Sequence, residues 1–191
     1  MLEQTMLRRL APLLLVLVVL SSCRSDPTPQ PPATASPGVT VGVSPSAPAS
    51  PVDPATAALA AYRAMWKAFI SAADVADPGL PSLAQYADQR ALQTLRDGVQ
   101  DMKDKGLINT GDVKLLSPKV TALATSVKPI RVEISDCVDT SATRLVKRDG
   151  SAYNDTPGGR RAMQATVVQQ SDGGWKVTEF GLREVGSCQG S

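Results

Sequence analysis

The apolar residues of this chain change their spacing near Gly111, and that change limits the folds open to it. Before it, Leu59, Tyr62, Trp66, Phe69 and Ala73 recur at intervals of three and four, one stripe of an amphipathic helix. Asp53-Pro54 suits the start of that helix, with an aspartate cap and a proline in the first turn. Asp77-Pro78-Gly79 stops it. Ser82 and Gln85 form a capping-box pattern for a short second helix carrying Leu83 and Tyr86. A third begins near Asp88, with Leu92, Leu95, Val99 and Met102 on one face. Lys103 and Lys105 favour its C-terminal dipole, and Gly106 closes it.

Beyond Gly111 the period is two. Val113 and Leu115 open one strand, which Pro118 breaks or bulges before Val120. Ile130, Val132 and Ile134 alternate with polar residues, and Thr143 to Lys147 follow. After an excursion through Asp149-Gly150 and Gly158-Gly159, Met163, Ala165 and Val167 make the next strand. Asp172-Gly173-Gly174 turns the chain into the last one, from Trp175. The apolar parity flips between Val177 and Phe180, which predicts a bulge and a strongly bent sheet. Three helices and then about five antiparallel strands indicate one α+β domain over residues 53–191, its helices on one face of a curved sheet.

The segment before this domain cannot join its core. From Arg24 to Pro54 lie nine of the 15 prolines, among Ser, Thr, Ala and Gly. Such a composition cannot bury enough apolar surface to offset its ordering entropy, so residues 23–52 read as a disordered tether. Upstream, Arg8-Arg9 precedes an apolar run from Leu10 to Leu20, long enough for a signal core and short for a spanning helix. The following Leu20-Ser21-Ser22-Cys23 resembles the lipobox of bacterial lipoproteins. The resemblance implies removal of residues 1–22 and diacylglycerol on the Cys23 sulfur, with lipid as the chain's first partner. An uncleaved signal anchor and plain secretion are the alternatives, and Arg8-Arg9 is compatible with twin-arginine export.

Composition excludes several chemistries. Lys and Arg total 20 against 18 Asp and Glu; removing Arg8, Arg9 and Glu3 leaves 18 against 17, a balance of +1 that offers no electrostatic case for nucleic acid. With no histidine, no mechanism can use a histidine base or ligand. No cofactor or metal motif stands out. If Cys23 carries lipid, Cys137 and Cys188 remain as a pair in an oxidising compartment, where a disulfide is the default and two buried thiols the alternative.

The aromatic stripe of the first helix, the short helical excursion and the terminal Gly173-Gly174-Trp175-Lys176-Val177 resemble the NTF2-like (cystatin-like cone) superfamily. Tyr86 through Gly106, Ser117-Pro118-Lys119-Val120, Asp136-Cys137-Val138-Asp139 and the terminal Cys188 are similar to small lipoproteins of high-GC Gram-positive bacteria. The superfamily resemblance implies a pocket between the first helix and the concave sheet, with Tyr62, Trp66, Phe69 and Tyr86 as candidate lining; the competing reading makes these rings plain core. Enzymes of the superfamily typically use an aspartate. Asp74, Asp136 and Asp139 fall near element ends, where an aspartate usually serves as a cap or turn residue. Asp136-Cys137-Val138-Asp139 as a metal loop and Gly158-Gly159-Arg160-Arg161 as an anion site compete with a strand end and a flexible hairpin tip. The expected function is a noncatalytic binding domain on the extracytoplasmic face of the cell membrane, recognising an envelope partner or a small apolar ligand. The alternative is an enzyme in which Tyr62 and an aspartate act as acid and base.

Overall fold

A computed structural model describes residues 52–188 of the chain. The signal core, Cys23 and all of the tether except Val52 lie outside the described residues. Helix α1 (Pro54–Val75) starts as its sequence requires: the Asp53 carboxylate accepts the Thr56 N–H at 3.0 Å, and Pro54 occupies the first turn. Its last turn closes on Ala76, whose φ of 47° is left-handed, with Asp77 N–H bonded to Ala72 C=O. An alanine thus takes the position usually given to glycine, and its methyl is buried.

Helix α2 (Pro81–Tyr86) departs from the capping-box expectation. Pro81 sets the start two residues early, Leu80 is the cap, and Ser82 lies inside the first turn with its buried hydroxyl unpaired. Helix α3 (Gln89–Asp104) is capped by Asp88, buries Ala91, Leu95, Val99 and Met102, and gives way to Gly106 at φ 64°. The Asp88 N–H donates to the Val177 carbonyl at 2.9 Å, and Lys176 Nζ donates to the Ala84 carbonyl, so the α2–α3 junction is pinned to the last strand.

Seven strands follow: β1 (Leu107–Thr110), β2 (Lys114–Leu115), β3 (Lys119–Ala124), β4 (Arg131–Asp139), β5 (Arg144–Lys147), β6 (Arg160–Gln169) and β7 (Trp175–Leu182). The alternating pattern therefore starts earlier than Gly111. Strands β4, β6 and β7 pair in order and antiparallel, and β2 and β3 share the outer edge of β4. The break at Pro118 is what divides that edge into two strands, as a residue without an N–H requires. The expected bulge is present: Thr166 pairs with Glu179 but Val167 pairs with Val177, leaving Thr178 as the extra residue. Strand β5 does not join this sheet. It pairs with β1 in a separate two-stranded ribbon.

The helices lie against one face of the five-stranded sheet. Tyr62, Met65, Trp66, Ala68 and Ala72 of α1 meet Val132, Ile134 and Val138 of β4 and Met163, Ala165 and Val167 of β6 in one core. Burying the valine, isoleucine and methionine side chains among them contributes about 1.5–3 kcal/mol each. The ribbon closes one end of this layer, where Leu107 packs with Ala73 and Met102. On the opposite sheet face, Cys137 and Cys188 form a disulfide with a Cα–Cα distance of 5.8 Å, tying β4 to the C-terminal segment.

Candidate functional site

Two features draw on the candidate residues: a buried pair in the core and a cavity beside it. The pair is Tyr62 and Asp136. Tyr62 faces the sheet from the third turn of α1, and its hydroxyl donates to Asp136 Oδ2 at 3.1 Å and lies 3.2 Å from Met163 Sδ. The other carboxylate oxygen of Asp136 accepts the Ser117 N–H at 2.9 Å. That contact is a consequence of Pro118: with the edge strand interrupted, Ser117 finds its acceptor on a side chain instead of the β4 backbone. Asp136 lies inside β4 and not at an element end, so the cap-or-turn expectation fails for it. It holds for Asp139, which accepts the Ser141 N–H, and Asp74 in the last turn of α1 accepts from Asn109 Nδ2 at 2.9 Å.

The pair's electrostatics are those of burial. Tyr62 is 0% exposed and Asp136 7%. Desolvation raises the Asp136 pKa above the ordinary carboxylate range, partly opposed by the hydrogen bonds from Ser117 and Tyr62. Desolvation and the neighbouring carboxylate push the Tyr62 phenol far above its usual value. The Trp66 indole N–H approaches the phenol oxygen, which eases its ionisation slightly, but makes no well-aligned hydrogen bond. A phenol so raised stays protonated at neutral pH and serves as a fixed donor to Asp136.

The cavity opens at the ribbon end of the α1–sheet interface. Its volume is about 290 Å³, and Trp66, Phe69 and Ile70 of α1 form one wall, with Leu145 of β5 and Leu182 of β7 across from them. Trp66 and Phe69 meet edge to face, with ring centroids 6.0 Å apart. Trp66 is only 6% exposed, so most of its ring is core and one edge is wall. Tyr62 lies deeper and does not reach this cavity. Tyr86 is elsewhere, lining a surface groove with Trp175 and the alanines of α1. Of the four candidate lining residues, the fold brings Trp66 and Phe69 to one cavity and separates the other two.

Arg161 is the basic residue of the cavity wall. It continues the inward row of β6 (Met163, Ala165, Val167) one step beyond the core, opposite Val138. The preceding glycines form no free tip. The Gly159 N–H donates to Thr140 Oγ1 at 3.0 Å, the Thr140 N–H returns a bond to the Gly159 carbonyl, and a Cβ on Gly158 would fall 2.3 Å from the Thr140 carbonyl. Asp136-Cys137-Val138-Asp139 is likewise strand, its side chains alternating between the two sheet faces, with Cys137 in the disulfide. Among the described residues no group of three or more Cys, Asp or Glu side chains is placed to hold a metal.

No family model matches the chain, and no curated protein matches it. Among solved structures 18 chains match. One is the crystal structure of the intermembrane space region of chloroplast protein ARC6, with a TM-score of 0.53 at 20% identity, covering 69% of this chain and 98% of that one. The likeness is one of fold alone.

Proposed function

We propose that this chain is a membrane-anchored extracytoplasmic lipoprotein whose folded part is a noncatalytic binding domain, built as an NTF2-like cone. Cys23 carries the lipid, the proline-rich tether spaces the domain from the bilayer, and the domain engages an envelope partner or a small apolar ligand. The lipobox resemblance of Leu20-Ser21-Ser22-Cys23 supports the anchor. The Cys137–Cys188 disulfide supports the location, because such bonds persist in oxidising compartments. No helix of the described residues is long and apolar enough to cross a membrane.

The observation that carries the noncatalytic reading is the burial of the Tyr62–Asp136 pair. An acid–base pair must reach the proton it moves, within a hydrogen bond or one water of the substrate. Tyr62 has no exposed surface, and its hydroxyl is engaged with Asp136 and Met163. We therefore read the pair as a satisfied polar contact at the core, which supports the noncatalytic reading over the enzyme alternative. Mass spectrometry of the membrane-extracted protein tests the anchor. An acylated N-terminal Cys23 is expected; full release into the medium with an unmodified thiol overturns it.

A further inference from the structure

We infer that the cavity beside Trp66 and Phe69 is a binding site for small monocarboxylates with an apolar ring or branched chain, held through Arg161. The inference rests on the small-ligand form of the proposed function and specifies the chemistry of that ligand. Most polar groups around the cavity are already engaged. Asn109 Nδ2 donates to Asp74 and to the Gly111 carbonyl, Thr140 is bonded to Gly159, Thr143 Oγ1 donates to the Thr140 carbonyl, and Asp155 Oδ2 accepts the Leu145 N–H. Among the cavity's charged side chains, Arg161 is the exception. Its guanidinium makes no hydrogen bond or ion pair among the described residues, and its Nε is buried without an acceptor.

Only the Nε of Arg161 is buried, so its two terminal nitrogens are left accessible to a ligand, and a bidentate carboxylate matches the planar fork of a guanidinium. The walls set the rest of the ligand. Trp66, Phe69, Ile70, Leu145 and Leu182 accept an apolar body, and about 290 Å³ lies at the small end of ligand cavities, room for a single ring or a short branched chain. Charge narrows the class further. Asp155 also lines the cavity, so one cation faces one fixed carboxylate, which disfavours a dianion such as phosphate. Gly158-Gly159-Arg160-Arg161 thus supplies one anion-binding side chain, Arg161. Arg160 points to the other sheet face and pairs with Asp139 at 3.4 Å.

The test is calorimetric titration of the full chain in detergent with benzoate, phenylacetate, indole-3-acetate and isovalerate, against phenylacetamide and inorganic phosphate. At least one monocarboxylate should bind, about tenfold or more tighter than phenylacetamide, with phosphate weaker still. Arg161→Gln should remove that preference while leaving the unfolding midpoint close to wild type, and Arg161→Lys should restore part of it. Phenylacetamide binding as tightly as phenylacetate, or unchanged carboxylate affinity in Arg161→Gln, overturns the carboxylate inference and leaves the apolar-ligand reading standing. Binding of none of the probes at millimolar concentration overturns both for this cavity, leaving only an envelope partner for the domain.

Discussion

Asp136 occupies a position in β4 where the alternation of Val132, Ile134 and Val138 calls for another apolar side chain. It is tolerated because Tyr62 and Ser117 each satisfy one of its oxygens. Tyr62→Phe leaves Oδ2 buried without that donor and should lower stability by about 1–3 kcal/mol, read as a shifted denaturation midpoint at unchanged m-value. Burial raises the folded-state pKa of Asp136, so its protonated form is favoured in the fold. The stability it contributes is complete below the unfolded value of about 3.9 and is lost as pH rises through the higher folded value. Asp136→Asn removes this pH-dependent contribution. Urea midpoints measured from about pH 4 to pH 8 should therefore show wild type falling relative to the variant as pH rises. Parallel profiles would contradict that assignment.

Helices α1 and α3 were legible because their apolar stripes, caps and stops agree, α2 from its apolar residues although Leu80 and not Ser82 is its cap, and β2 through β7 because alternation and turn residues agree. Strand β1 was not. Its inward residues are Leu107 and Asn109, and a polar side chain on the buried face erases the alternation. Asp136 hid for the same reason. Both are paired to residues far along the chain, Asp74 and Tyr62, 35 and 74 positions away, which local pattern cannot register. Arg161 was legible as a motif member, but its cavity forms only when β1 and β5 close over the end of α1. Two glycines near β1 separate backbone strain from crowding. Gly106 has φ 64° with open space where a Cβ would stand, so Gly106→Ala should cost about 1–2 kcal/mol. Gly111 has φ 84° and its Cβ would fall 2.2 Å from the Ala142 carbonyl, so Gly111→Ala should cost clearly more. Equal denaturation midpoints for the two variants would show that the ribbon yields at that contact.

Across the whole domain, stability comes from one apolar layer between helices and sheet, with the disulfide as a tie on the opposite face. The bridge spans 51 positions, and closing a loop of that length constrains the unfolded chain by about 4 kcal/mol. Cys188→Ser should lose much of that in denaturant unfolding under non-reducing conditions, and reductant should bring wild type to the same midpoint. The central claim is that the aromatic stripe of α1 builds this layer before it builds any site, and Trp66 is the largest side chain of that stripe. The most direct measurement is equilibrium unfolding of Trp66→Ala beside wild type. A loss of about 3–5 kcal/mol, the usual consequence of truncating a buried aromatic, is the predicted result and is a large part of a typical domain's stability. A Trp66→Ala protein as stable as wild type would mean that the ring lines an open site and fills no core.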